Sequence, residues 1–248
     1  MARSARRSRA PFVSLLKLVA ERYPAVDDPA AVVGAGQVQV DGAVLTNSAA
    51  RVRRDAVVKL VRPAALRGAG KLEAALDHFD VSPRGRVALD LGACTGGFTS
   101  VLLERGAATV YAVEAGHGQL LGSIRQDPRV RNLERTNLGD LTTELVPEPV
   151  EVVTMDLSYL AAARAVGQIE AVTVAPDADL VILVKPMYEL GLASLPTEPE
   201  QLADAVAQAR DGVSRWGWHP VGVIESPVRG GRGAVEFLLH ARRGARVA

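Results

Sequence analysis

A chain of 248 residues that is 48% hydrophobic and 23% charged is long enough to bury a sizeable core and has ordinary globular composition. The net charge of +1 hides an imbalance: residues 1–70 carry twelve Lys/Arg against five Asp/Glu, and the remainder seventeen against twenty-three, so a basic front end suited to a polyanion precedes an acidic body. A single cysteine, Cys94, excludes an intrachain disulfide and points to the cytoplasm; no uncharged apolar run reaches the ~18 residues of a membrane span, and four scattered histidines offer no zinc site.

The front end opens with "ARSARRSR" before "APFVSLLKLVA". Lys17 interrupts that apolar run and no small-residue cleavage pattern follows, so residues 1–11 are expected to form a basic tail, not a secretory signal. Residues 12–61 read as a small unit: a helix near "FVSLLKLVAERY", a second near "DPAAVVGAG", and "QVQVDGAVL", which alternates Val with polar residues and turns at Asp41-Gly42 as a hairpin does. "ARVRRDAVVKLV" reads as a further strand. Residues 62–69 are expected to be a linker, and a helix around Gly70–Phe79 opens a domain over 70–243, with a tail over 244–248.

From Arg86 the pattern becomes strand–helix–strand. "RVALDLG" and "ATVYAVEA" are the first two strands, joined by a helix in "GGFTSVLLERG" that Gly106 ends. "RVRNLERTN", "VEVVTMDLS" and "ADLVILVKP" follow. The near-continuous Val/Leu/Ile runs of the last two suit strands buried on both faces of a parallel sheet. A helix over about 199–214 precedes "WHPVGVIES" and "GAVEFLLHA". This alternation predicts a doubly wound α/β sheet.

Ligands of such sheets sit beyond the strand carboxyl ends, where the turn "DLGACTGGF" falls, and glycines let backbone approach a ligand closely. The spacing of Gly92, Gly96 and Gly97 does not fit the dinucleotide fingerprint. Asp90 stands before the turn and Glu114 ends the second strand. A carboxylate at Glu114 suits ribose hydroxyls, and one at Asp90 suits a cofactor that carries positive charge and no phosphate, as S-adenosylmethionine does.

At these residues the sequence resembles a known family. "DLGACTGGFT", "VYAVEAGHGQL", "IRQDPRVRNLERTN", "MDLSYL", "LVKP" and "VEFLLH" stand in the order found in the TlyA (hemolysin A) family, S4-domain-containing FtsJ-like ribosomal RNA 2′-O-methyltransferases that use S-adenosylmethionine. The resemblance runs from about Arg67 to Leu239 and extends weakly over 12–61, where "GAGQVQVDGAVL" is similar to part of an S4 domain. It implies a Rossmann-like class I methyltransferase fold, α/β, with a seven-stranded sheet in the order 3-2-1-4-5-7-6 and a small N-terminal S4-like α+β domain. It implies cofactor contacts from Asp90, Gly92, Ala93, Cys94, Thr95, Gly96, Gly97 and Phe98, from Glu114 and Asn137, and from Asp156. RNA contacts are expected from Arg3, Arg6, Arg7, Arg9, Arg51, Arg53, Arg54 and Arg67, with ribosomal RNA or a ribosomal subunit as partner and no membrane or metal.

FtsJ-like enzymes carry a Lys-Asp-Lys-Glu tetrad, and Lys71, Asp156, Lys185 and Glu236 occupy matching positions. In the stated strand order, Asp156, Lys185 and Glu236 converge at one sheet edge, Glu236 beginning the last strand. Lys185 is expected to accept or steer the proton of the ribose hydroxyl. Lys71 would close over the pocket and touch the target phosphate, while the two acids orient the amines. Three departures stand out. Asp27 and Asp28 lie where S4 domains usually carry Ser-Arg, "VRPAAL" lacks an aromatic residue, and "GLASLPTEPEQ" replaces a Gly/Lys-rich loop. The alternative reading is a non-catalytic RNA-binding or ribosome-assembly factor that keeps the fold.

Overall fold

The computed structural model describes residues 11–41, 43–60 and 66–244. Arg3, Arg6, Arg7 and Arg9 lie outside them, as do residues 62–65, the first half of the segment read as a linker. The chain divides into two compact units, the first running to Ala65 and taking in Leu121–Ser123, the second holding the rest.

In the first unit Ser14 caps a helix, its hydroxyl accepting the amide of Lys17 at 3.3 Å. The helix expected near Phe12 therefore begins later, as α1 (Leu15–Arg22), and β1 (Phe12–Ser14) precedes it. Asp28 caps α2 (Pro29–Gly34) by accepting the Ala31 amide at 2.9 Å, with Pro29 in the first turn. Its carboxylate thus serves the helix. Then come β2 (Val38–Val40), β3 (Ala43–Val44), β4 (Arg51–Arg53) and β5 (Val58–Leu60). The single strand expected over "ARVRRDAVVKLV" is two strands. The chain turns where Ala56 donates to the Arg53 carbonyl at 3.0 Å and Arg53 pairs with Asp55 at 2.6 Å. This lets β4 pair with β1 and β5 with β2, and buries Val52 and Val58 against Leu15, Leu18 and Val33.

The second unit begins with α3 (Arg67–Phe79), three residues earlier than the sequence suggests. Then follow β6 (Val87–Leu91), α4 (Gly97–Glu104), β7 (Thr109–Glu114), α5 (Gly122–Arg125), β8 (Val130–Glu134), β9 (Val150–Met155) and α6 (Ala162–Gly167). The chain closes with β10 (Val174–Val184), α7 (Pro186–Glu189), α8 (Pro199–Ser214), β11 (Trp218–Glu225) and β12 (Phe237–Arg243). Seven strands form one sheet in the order β11-β12-β10-β9-β6-β7-β8, which is 3-2-1-4-5-7-6 when the sheet's own strands are counted from β6. β6 to β10 run parallel, and β12 runs antiparallel to both its neighbours. The central strands are buried on both faces, which accounts for their unbroken apolar runs. Gly106 ends α4 at φ +86°, with the amide of Ala107 reaching Leu102 and that of Gly106 reaching Leu103, a Schellman closure.

Asp179, on β10, ties its strand to β12 and to Arg86, the residue before β6. It pairs with Arg86 at 2.7 Å, with buried His240 at 2.8 Å and with Arg242 at 3.2 Å. Burial alone would raise its carboxyl; the bonds from His240, Arg86 and Arg242 outweigh that and hold it at about 2.

Candidate active site

The strand carboxyl ends place the site. Leu91 of β6 lies opposite Met155 of β9, which lies opposite Ile182 of β10, while Val184 of β10 faces Phe237 of β12. One residue beyond these strand ends stand the glycine turn, Asp156 and Lys185. Glu236 is the residue just before β12, so it precedes the strand it was expected to begin. Because β12 is antiparallel, its start lies at the edge where β10 ends.

The glycine turn is built by close approach. Gly92 has φ +85°, and a Cβ there would lie 2.5 Å from the Asp156 carbonyl oxygen. A Cβ on Gly97 would lie 3.1 Å from the Cα of Gly68, so the N-terminus of α4 meets α3, the helix that carries Lys71, backbone to backbone. Phe98, expected at the cofactor, is buried, and a Cβ on Gly68 would touch its ring; it serves this helix contact. Ala93 is buried, while Cys94 and Thr95 are exposed.

Asp90 is fully buried and accepts the hydroxyls of Thr99 at 2.6 Å and Thr154 at 2.9 Å. Burial pushes its carboxyl up to about 6; the two hydroxyls pull against this and the charge of Asp156 adds to it. With a value of 3.8 when unfolded, the stability attached to Asp90 is complete below about pH 4 and is lost as pH rises through about 6. Melting temperatures across that window should therefore fall relative to Asp90→Asn, in which the amide does not titrate. Parallel curves for the two proteins would show that Asp90 is not perturbed.

Glu114, at the end of β7, accepts the amides of Cys94 at 3.1 Å and Gly116 at 2.7 Å, which locks its carboxylate beside the turn. The Cys94 thiol bonds to Gln119 at 3.3 Å and is pushed up by burial and by the charges of Glu114 and Asp156, the opposite of an activated nucleophile. Asn137 opens the short turn Leu138–Asp140 and donates its amide to Asp140 at 2.9 Å. No lysine or arginine occurs from Val87 to Glu104. Carboxylates without basic side chains fit a cationic, phosphate-free cofactor such as S-adenosylmethionine and oppose a pyrophosphate.

The four residues expected to form a tetrad make two ion pairs. Lys185 Nζ lies 2.6 Å from Asp156 Oδ1, and Lys71 Nζ lies 2.6 Å from Glu236 Oε2. The pairs differ in access. Lys71 and Glu236 are 6% and 5% exposed, so the expected contact of Lys71 with a phosphate does not fit: its ammonium is buried and spent on Glu236. Lys185 and Glu236 line a cavity of about 380 Å³ with Ser158, Tyr188 and Arg232. Lys71 does not line that cavity and is joined to it through Glu236.

Two further residues fix Lys185. Ser158 accepts its ammonium at 2.9 Å, and Glu189, on α7, accepts the Ala162 amide at 2.6 Å. The segment after β10 is thereby stapled twice to the loop after β9. Burial pushes the Glu189 carboxyl up to about 7. Ser158 stands two residues after Asp156 in "MDLSYL", where the motif singles out the aspartate, and Glu189 has no sequence signal beyond its distance from Lys185.

Among the basic residues of the first unit, Arg51 is exposed and donates to the Phe12 carbonyl at 3.1 Å, while Arg53 and Arg54 are matched by Asp55 and Glu21. No helix among the described residues is long and apolar enough to cross a membrane, and none of their His, Cys, Asp and Glu side chains cluster as metal ligands.

Residues 65–243 match the family model of FtsJ-like methyltransferases. The chain is 40% identical over 222 residues to the 16S/23S rRNA (cytidine-2'-O)-methyltransferase TlyA of Mycobacterium tuberculosis, covering 86% of this chain and 82% of that one. A solved structure from Lactococcus lactis, provisionally named a hemolysin, matches with a TM-score of 0.68 at 30% identity, over 71% of this chain and 87% of that one. An S-adenosylmethionine-dependent methyltransferase from Mesorhizobium loti shares the fold at a TM-score of 0.51 and 19% identity, over 72% of this chain and all of its own.

Proposed function

Since the chain belongs to the FtsJ-like methyltransferase family, whose members use S-adenosylmethionine, we propose that it methylates the ribose 2′-hydroxyl of a cytidine in ribosomal RNA. The observation that carries this reading is the Lys185–Asp156 pair one residue past the strand ends, with Lys185 lining a cavity shared with Glu236 and the Asp156 backbone against Gly92 of the glycine turn.

S-adenosylmethionine supplies a methyl group already activated on a sulfonium. The protein's remaining task is alignment and proton handling. Glu114 and the backbone of Gly92–Gly97 would hold the cofactor, with Asp90 fixing the turn from within and Asn137 as a further expected contact. Lys185 positions the ribose oxygen. As the ribose oxygen takes the methyl group, the methyl–sulfur bond would break to leave a thioether while the O–H bond breaks, and the proton passes to the Lys185–Asp156 pair, onto the carboxylate, because the ammonium has no free electron pair. Ser158 and Glu189 keep Lys185 in place, and the Lys71–Glu236 pair sets the wall behind the oxygen.

We assign RNA holding to the N-terminal unit, read as an S4-like domain over residues 12–61, with Arg51 as an exposed cation without an acidic partner among the described residues, aided by Arg67 and the basic tail. The test is transfer of labelled methyl from S-adenosylmethionine to small subunits, large subunits, naked ribosomal RNA and transfer RNA. Label in a ribosomal fraction alone is the expected result. Cofactor binding with no label in any fraction, native RNA included, would favour a non-catalytic assembly factor.

A further inference from the structure

The phosphate that Lys71 cannot reach still needs a partner. In RNA every internal 2′-hydroxyl stands on the carbon next to the one that bears the 3′-phosphodiester. A ribose oxygen held at Lys185 therefore brings a phosphate to the same cavity, and a buried or cavity-bound anion needs a cation. Of the acidic segment after α7, only Leu195 and Pro196 line that cavity, so the segment supplies no charge there.

Two cations line the cavity, Lys185 and Arg232. Lys185 is spent on Asp156 and Ser158. Among the described residues, Arg232 has neither an ion pair nor a side-chain hydrogen bond, whereas Arg229 on the same loop pairs with Glu225 at 3.0 Å. Arg232 is presented, not loose. It sits at φ 57°, ψ 23°, a left-handed conformation unusual for a side-chain-bearing residue, inside a turn closed by Gly230 donating to the Ala234 carbonyl at 2.9 Å. That turn is fastened to the tetrad. A Cβ on Gly230 would overlap the Glu236 carboxylate, and Ser226 donates its amide to the Glu236 carbonyl at 2.8 Å and its hydroxyl to Val228 at 2.8 Å.

We propose that Arg232 binds the phosphodiester adjoining the target 2′-hydroxyl, making the loop between β11 and β12 the substrate clamp of this site. This rests on the reading of the site as an RNA 2′-O-methyltransferase. The guanidinium offers a planar fork matched to two phosphate oxygens, which an ammonium cannot reproduce.

The test compares wild type, Arg232→Gln and Arg232→Lys for binding to ribosomal RNA over a range of salt, and for methyl transfer. In the Gln variant KM for RNA should rise about tenfold with kcat little changed, and the log–log salt slope should become shallower by about one. Affinity for S-adenosylmethionine and melting temperature should stay unchanged. The Lys variant should restore the slope and recover part of the affinity. An unchanged slope and KM, or a loss explained by a lower melting temperature, overturns the proposal. If wild type binds RNA without methylating it, the enzymatic reading fails and the slope still decides Arg232. If wild type binds no RNA, both fall.

Discussion

Methyl transfer by Lys185→Ala is expected to fall about 10²–10⁴-fold, the usual worth of a positioned proton-handling group. The substitution removes an amine held 2.6 Å from Asp156 and 2.9 Å from Ser158, at the point where β10 ends beside the cavity. It leaves the glycine turn and Glu114 untouched, so calorimetric affinity for S-adenosylmethionine should match wild type. Folding should hold as well. The Asp156 side chain is 25% exposed, and water can solvate the carboxylate that loses its partner. Lys185→Arg keeps the charge but replaces a point donor with a wide planar fork, and little rescue is expected. Single-turnover rates at saturating cofactor are the measurement; an unchanged rate would remove Lys185 from the chemistry.

Lys71→Met should behave differently, because its pair is buried. With both partners nearly enclosed, removing the ammonium strands a carboxylate 5% exposed, and breaking a buried pair this way costs about 3–5 kcal/mol. Against the 5–15 kcal/mol typical of a domain's whole stability, that is a large loss, equivalent to a melting shift of roughly 10 °C at this size. Adding Glu236→Leu should return most of the stability, since an apolar pair of similar volume costs no desolvation. Methyl transfer should be lost in both the single and the double variant. Recovery of activity with stability in the double variant would make Lys71 and Glu236 a structural strut only. Urea denaturation midpoints measured beside the transfer assay separate the two roles.

Much of the sheet was legible because its signals are local. The unbroken apolar runs of β6, β9 and β10, the bounds of α8 and the glycine at the end of α4 each depend on neighbours within a few residues. The same locality misled in the first unit. "FVSLLKLVAERY" carries helical periodicity throughout, yet Phe12–Ser14 pair with Arg51–Arg53, some forty residues away in sequence. "ARVRRDAVVKLV" looks extended from end to end, yet two sheets each claim half of it.

The candidate site divides in the same way. The acids flanking the glycine turn and the tetrad positions could be placed by motif and by strand order, since a parallel sheet delivers its strand ends to one edge. The sequence by itself determined that edge and which residues stand on it. Only the tertiary structure decided how they pair. Lys71 and Glu236, 165 residues apart, close a buried pair, while Lys185 pairs with the part-exposed Asp156 and lines the cavity, and this gives the first couple a supporting place and the second direct access to substrate. Ser158, Glu189 and Arg232 also emerged only there, because a single serine, glutamate or arginine has no periodicity to betray it. What each can do depends on burial and on the charges brought near it by folding, and neither quantity is a property of the chain read in order.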